Sequence, residues 1–523
     1  MGRSGSAAPP MASPSSRRAP RAAVLVAVVA VVSAAVVLAL GFDTTTSIPA
    51  GVPRGADLLT VSGTPVSRPV APGYIGLSLE YTAVEHYAGT DPTAIDPVFV
   101  RLLDGLTPGG HPVLRIGGDT SDWGWFAVPG MRKPRGIRFT LHRRWVSVTR
   151  ALAARTGAKL ILGLNLEAAS RRLMAVQIHR FRGVGRQALQ AYEIGNEPEV
   201  FGALGWYRRA HHPVYARRRG YNYRDYTREL TRYSRLVPAG IPLAGPSTGG
   251  TKFWAQTGNF LREHPRVRVV TFHLYPLHEC LVNPKGPTAS TIPHLLAPPA
   301  STGLAALIAP YVKVAHAHGA VVRIDELNSV SCGGGPGVSD RFASALWAID
   351  TLFALAREGV DGVNFHTFTH AYYRPFIFHH IDGRWSATVD PMYYGMLAFN
   401  LAAPAGSKLL QTSAPASSTL RVWATRGSDG RVRVMLINTS PQQARTIAIK
   451  LPAGSPRAPA TLQRLRSPGL SSAQGITLGG QRFAQPTTTG QLTGPRVVST
   501  PRQVERGVYL LALPPGSAAV LTR

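Results

Sequence analysis

Acidic residues are scarce in this chain: 27 Asp and Glu stand against 57 Lys and Arg in 523 residues, a formal charge of +30. Lysine is scarcer still, with only seven, so nearly all the cations are arginine. These arginines are scattered through helical stretches such as Arg143-Arg144 and Arg171-Arg172. They form no basic–aromatic array, and no nucleic-acid motif is present, so DNA or RNA is not an expected partner. The charge reads as compositional bias; attraction of an acidic sugar polymer or an anionic surface is the functional alternative. No H-E-x-x-H and no glycine-rich nucleotide motif occurs, so neither a metal nor an organic cofactor is expected. The only cysteines, Cys280 and Cys332, allow at most one disulfide.

Long apolar runs are also rare, with one exception. Arg17, Arg18 and Arg21 precede twenty uncharged, mostly apolar residues, Ala22 to Gly41. That run is long enough to span a bilayer, so residues 1–41 read as a signal peptide or a membrane anchor. The flanking cations place the remainder outside the cytoplasm, secreted or tethered through residues 22–41. Residues 42–56, rich in Thr, Pro, Gly and Ser, read as a linker.

Beyond the linker, eight short β-rich runs alternate with helical stretches. They are Tyr74–Tyr81, Pro112–Gly117, Lys159–Leu166, Ala191–Gly195, Ile241–Gly245, Val267–Tyr275, Val321–Glu326 and Gly362–His366. Parallel strands with crossover helices follow, of which Phe342–Glu358 reads as an amphipathic example. The fold class expected for residues 71–400 is therefore α/β, a (β/α)8 TIM barrel. From 401 to 523 short alternating strands separated by Gly, Pro and Thr turns predict a β-sandwich, which the strand-like segment 57–70 would join. An Asn438-Thr439-Ser440 sequon lies in that region and matters only where exports are glycosylated.

Polar residues stand where the apolar runs end: Glu80, Asp119, Asn165, Glu197, His273, Glu326 and His366. In such barrels the C-terminal strand ends carry the chemistry. The fourth run, A-Y-E-I-G-N-E-P-E, holds three of the few acids. Regular alternation would place Glu193 and Glu197 on one face, with Glu193 deeper and paired to an arginine such as Arg115. Glu197, at the rim beside Asn196, is a candidate proton donor and Asn196 a sugar-hydroxyl partner. In the seventh run, Asp325 and Glu326 are expected on opposite sides, Glu326 at the rim and Asp325 in a structural ion pair. Two carboxyls facing across a barrel mouth make the pair a glycosidase needs; their separation, which distinguishes retention from inversion, is not readable here.

The pair Y-E-I-G-N-E-P and D-E-L-N-S-V-S-C-G-G-G resembles glycoside hydrolase family 79, which contains β-glucuronidases and heparanases. The resemblance extends to L-R-I-G-G-D-T-S-D, T-F-H-L-Y-P, G-V-N-F-H-T and, in the C-terminal region, G-I-T-L-G-G-Q-R-F. It implies retention, with Glu197 as acid/base and Glu326 as nucleophile. It further implies a glucuronide or acidic oligosaccharide substrate whose carboxylate is held by backbone N–H groups at Gly333 and Gly334 and by Tyr373. Glu80, Asp119 and Asn165 would line the sugar subsite, with His273 and Tyr275 near the nucleophile. Two departures make exo-β-glucuronidases of bacterial type the nearer analogue: no long excised linker lies between the first and third strands, and Asp119 stands where heparanases have a neutral residue. Cys280 and Cys332 follow neighbouring strands, so a disulfide between them, rather than two separate thiols, would brace the carboxylate loop. The rival readings are a retaining β-glycosidase for neutral sugars, a cell-surface carbohydrate-binding protein without activity, and, on charge alone, a binder of nucleic acid or anionic surfaces.

Overall fold

The computed structural model describes Pro49 and residues 51–523, apart from 281–282 and 454–458. The targeting segment 1–41 therefore lies outside the described residues. Among the described residues, no helix is long and apolar enough to cross a membrane.

A first strand, β1 (Asp57–Pro65), precedes the eight apolar runs, each of which forms a strand. They are β2 (Ile75–Glu80), β3 (Val113–Gly117), β4 (Lys159–Leu164), β5 (Leu189–Ile194), β6 (Leu243–Thr248), β7 (Val267–Leu274), β8 (Val321–Leu327) and β9 (Gly362–Thr367). Strands β2, β3, β6 and β9 are buried at every position, as expected of parallel strands covered on both faces. Each strand pairs in parallel with the next in sequence, and β9 returns to β2, closing an eight-stranded barrel. Helices cover the outside. Arg143–Thr156, for example, buries Trp145, Val148 and Leu152, and ends where Gly157 takes the left-handed conformation that terminates many helices.

Helix Phe342–Arg357 departs from the amphipathic expectation, being buried along almost its whole length. The reason is tertiary: the helix Pro391–Ala402 packs along it, with Gly395 against the Ala345 backbone, and the C-terminal strands add Trp423, stacked on Phe353. Its Asp350 accepts a hydrogen bond from Trp423 Nε1 at 2.8 Å and lies 3.3 Å from Arg421 Nε, joining the two regions.

Those strands are β10 (Lys408–Ser413), β11 (Leu420–Arg426), β12 (Val432–Asn438), β13 (Arg445–Lys450), β14 (Thr461–Arg466), β15 (Thr477–Leu478), β16 (Arg502–Glu505), β17 (Val508–Leu513) and β18 (Ser517–Thr522). They form one ten-stranded sheet with β1, in the order β15-β14-β18-β12-β11-β10-β1-β13-β17-β16. The expected sandwich is thus a single sheet curled on itself. Leu59, Leu436, Ile447, Leu511 and Leu521, from strands far apart in that order, meet in one apolar core. The alternate residues Met435, Ile437 and Val520 face the other way and join the barrel's core. β1 lies between β10 and β13. Asn438 of the sequon is fully buried, its amide donating to Gln443 O and Pro514 O, so the folded protein does not offer it for glycosylation.

Candidate active site

Two strands depart from regular geometry just where the paired acids stand. β5 ends at Ile194; Gly195 has φ +84° and Glu197 φ +46°. The alternation expected to carry Glu193, Gly195 and Glu197 on one face therefore stops before Glu197, which sits on a left-handed turn. Its N–H donates to Ser247 O on β6 at 2.8 Å, and that bond holds the turn. Non-glycine residues in this conformation are few and cluster at functional sites. In β8, Ile324 pairs with Phe272, but Glu326 pairs with the very next residue, His273. The bulge inserts Asp325 as an extra residue, so both carboxyls turn into the barrel rather than to opposite sides.

Arg115 on β3 organises the floor beneath them. Its Nε and Nη2 donate to Glu193 Oε1 at 2.9 and 2.7 Å, Nη2 to Asn196 Oδ1 at 2.7 Å, and Nη1 to Glu326 Oε2 at 2.9 Å. Tyr275 completes the grip by donating its hydroxyl to Glu326 Oε1 at 2.6 Å. Burial alone would raise the Glu326 carboxyl, but His366, His273, Arg115 and the Tyr275 hydroxyl together hold it far below the usual carboxylate range. It is ionised at any working pH.

Glu197 is more open, and its Oε1 lies 2.9 Å from His273 Nδ1. The same nitrogen is 3.6 Å from Glu326 Oε2, while Nε2 lies 2.9 Å from Ser247 Oγ. Burial opposes a charge on His273, but Glu326 and Glu197, on either side of Nδ1, raise it above the ordinary imidazole range, so it carries a proton between the two glutamates. Oxygens of Glu197 and Glu326 and a His273 ring nitrogen all lie within 4.8 Å of one another.

These groups open into a cavity of about 630 Å³. Glu80, Asp119, Asn196, His273, Tyr275, Gly333 and Tyr373 line it. Glu80 is fixed by Thr120 N at 2.9 Å and by the Thr120 hydroxyl, and Asp119 accepts from Asn196 Nδ2 at 3.1 Å. Burial pushes the hydroxyls of Tyr275 and Tyr373 well above their ordinary pKa, leaving both as neutral donors. Asn165 does not reach the cavity. It is fully buried, and its side chain bonds to Asp122 O, Gly124 O and Ala168 N, shaping the loop after β4. Gly334 is likewise absent from the lining: its N–H goes to Ser331 O, and a Cβ there would meet Tyr373 N at 2.9 Å. Gly333 O accepts from Tyr372 N at 2.7 Å, joining this loop to the segment bearing Tyr373. Cys280 and Cys332 form a disulfide with Cα atoms 6.1 Å apart, tying the loops after β7 and β8 together beside Gly333.

His366, anticipated at the end of its strand, lies 3.4 Å from Glu80 and 3.7 Å from Glu326, linking the two. Several other lining residues were not anticipated. Trp123, Phe201, Leu204 and Trp206 form an apolar wall. Asp122 accepts from Leu166 N, Glu167 N and Asn196 N, binding the loops after β4 and β5 into one rim. Glu199, the third acid of the fourth run, accepts from Gly249 N and Gly250 N; burial and Glu197 raise it to about 8. Of these, only Asp122, the second Asp of D-T-S-D, and Glu199, in the acid-rich fourth run, stood in a motif.

Comparison with known proteins agrees with this arrangement. Residues 422–520 match the model of the glycosyl hydrolase family 79 C-terminal beta domain. A β-glucuronidase from Neurospora crassa is 24% identical over 458 residues, covering 76% of this chain and 77% of its own length. The chain is thus similar to glycosyl hydrolase family 79, through its C-terminal domain and through this relative. Among solved structures, a 4-O-α-L-rhamnosyl-β-D-glucuronidase from Fusarium oxysporum superimposes with a TM-score of 0.68 at 18% identity, over 89% of this chain and all (100%) of that one. A GH51 arabinofuranosidase from Xanthomonas axonopodis pv. citri gives 0.63 at 16% identity, over 90% of this chain and 99% of that one. These two share the fold. The protein is a glycosidase built as a barrel with a C-terminal β-domain.

Proposed function

We propose that this glycosidase cleaves β-linked glucuronic acid from glycoconjugates or acidic oligosaccharides with retention of configuration, outside the cytoplasm. The observation that carries the reading is the closeness of Glu197 and Glu326, whose oxygens approach within 4.8 Å. That gap suits direct attack and leaves no room for the intervening water of an inverting enzyme. Glu326, held ionised by Arg115 and Tyr275, attacks the anomeric carbon. Glu197 gives its proton to the departing glycosidic oxygen. In the second step the Glu197 carboxylate takes a proton from water, which attacks the glycosyl ester and releases Glu326. His273 suits this cycle because one nitrogen faces both glutamates: when Glu326 is esterified, its proton still balances Glu197.

Gly333 and Tyr373 support the glucuronate assignment: both line the cavity on the side of the disulfide, and each carries an uncharged donor. A second reading, hydrolysis of neutral β-glycosides, is favoured by one observation: none of the residues lining the cavity is Lys or Arg. Rates on a chromogenic β-glucuronide and the matching β-glucoside separate the two, and proton NMR of the first-formed sugar reads the stereochemistry. A β-anomer from the glucuronide is expected. An α-anomer would overturn retention, and cleavage of the glucoside alone would overturn the substrate class.

A further inference from the structure

Asp325 takes no part in the chemistry above, yet the β8 bulge turns it into the barrel floor beside all of it. It is fully buried, and neither of its oxygens has a hydrogen-bond donor among the described residues. The nearest cations are Arg115 Nε at 3.8 Å and His273 Nε2 at 3.6 Å, both beyond hydrogen-bond reach. Both are engaged elsewhere: Arg115 donates to Glu193, Asn196, Glu326, Ser78 and Ser247, and His273 Nε2 pairs with Ser247. Arg323, two residues back, turns to Asn364 and Gly73 O. A buried carboxylate without a single donor is costly enough that such groups take up a proton instead. A second orphan lies against it. Glu193 is buried in contact with Asp325; its Oε1 takes both Arg115 hydrogen bonds, and its Oε2 has no partner. Two facing acceptors become one strong hydrogen bond when a single proton lies between them.

We propose that Asp325 is a carboxylic acid in the folded protein, donating its proton to Glu193 Oε2, and that this acid–carboxylate pair is the positioning device that locks Arg115 onto Glu326. With Oε2 clamped, Glu193 presents Oε1 alone to Nε and Nη2 of Arg115, which leaves Nη1 aimed at Glu326. The proton also balances the floor: the cations of Arg115 and His273 face the anions of Glu193 and Glu326, and Asp325 stays neutral. Burial first, and then Glu193, raise the Asp325 carboxyl; His273 and Arg115 oppose them and are outweighed.

The link to catalysis rests on Glu326 as nucleophile; the proton on Asp325 does not. Infrared difference spectra of the wild type minus Asp325→Asn at neutral pH test the proton directly. Loss of a carboxylic-acid carbonyl band in the variant is expected; loss of a carboxylate band would overturn the proposal, whether or not the enzyme cleaves glucuronides. Asn supplies an N–H to Glu193 in place of the acid, so its pH–rate profile should keep both limbs of the wild type. Asp325→Ala supplies no donor and should lower kcat about tenfold with KM little changed, the effect of one lost hydrogen bond to a charged group. Asn and Ala behaving alike, with shifted limbs, would mean that Asp325 is ionised. Should Asn fail to fold, Asp325→Ser, a hydroxyl donor that is never charged, carries the same comparison. Failure of both neutral donors to fold would show that position 325 needs a charge, and would also overturn the proposal.

Discussion

The barrel floor and the core of the C-terminal sheet are both dry, but they are built from opposite materials. The floor holds Arg115, Glu193, His273, Asp325 and Glu326 in mutual contact. The sheet encloses aliphatic side chains such as Leu59, Val434, Leu436, Ile449 and Leu521. Burying charges costs several kcal/mol per ion before pairing returns any of it, whereas burying aliphatic area is favourable throughout. The sheet core is thus a source of stability. The floor is there because the reaction needs a nucleophile that stays charged and an acid that can be refilled.

Replacing the charges should therefore cost activity first, and trimming the sheet core should cost stability first. The largest effect expected is from Glu326→Gln, which should lower kcat by roughly 10⁴-fold or more. It also takes a buried anion from Arg115 and His273, so Tm should fall as well; an unchanged Tm would mean that the nucleophile's charge does nothing to hold the fold. Glu197→Gln should cost about 10²–10⁴ in kcat, and less on a substrate with a good leaving group, which needs no proton. Leu436→Ala, at a fully buried position of the sheet core, should lower stability by about 2–5 kcal/mol. Its kcat should be unchanged well below the new Tm; a parallel loss of kcat would show that the sheet tunes the site through the Asp350 contacts. Tyr275→Phe removes one hydrogen bond to the Glu326 carboxylate and should slow turnover about 10- to 100-fold, most at acid pH, where the nucleophile is then more readily protonated.

The mildest test is pH. His273 is raised above its ordinary 6.5, so the stability it contributes is complete below about pH 6.5 and is lost as pH climbs through the raised value. Tm measured from pH 6 to 10 should fall for the wild type more steeply than for His273→Gln. Equal slopes would mean that the imidazole is neutral in the folded protein.

Most of the barrel was legible in the sequence because its strands are buried on both faces, and a short β-branched run between helices has few other fates. The strand-end polar residues were legible for the same reason, since nothing apolar is needed where a strand leaves the core. What failed was everything that departs from period two. Alternation put Asp325 opposite Glu326, but the bulge, visible only when β7 and β8 are paired, brings them together. It put Glu197 in line with Glu193, but a bond from Glu197 N–H to the next strand turns it away. Asn165 stands at a strand end like the others, yet three bonds, two to the segment after β3 and one within its own loop, spend its side chain on structure. Asp122 resembles a surface acid until three N–H groups from two other loops converge on it.

Local pattern and residue type by themselves determined that this chain is a (β/α)8 barrel with a β-rich C-terminal region, and that Glu197 and Glu326 are its candidate reacting pair. Both follow from short-range rules: the period of burial along a strand, and the chemistry that a carboxyl offers at its end. Only the tertiary structure decided that the C-terminal strands form one curled sheet, that Phe342–Arg357 is covered on all sides, and which acid keeps its charge. The charge of a buried carboxyl depends on how many donors reach it. Arg115, His273 and Tyr275 all reach Glu326 from other strands and loops, and none of them gives a hydrogen bond to Asp325, the residue beside it.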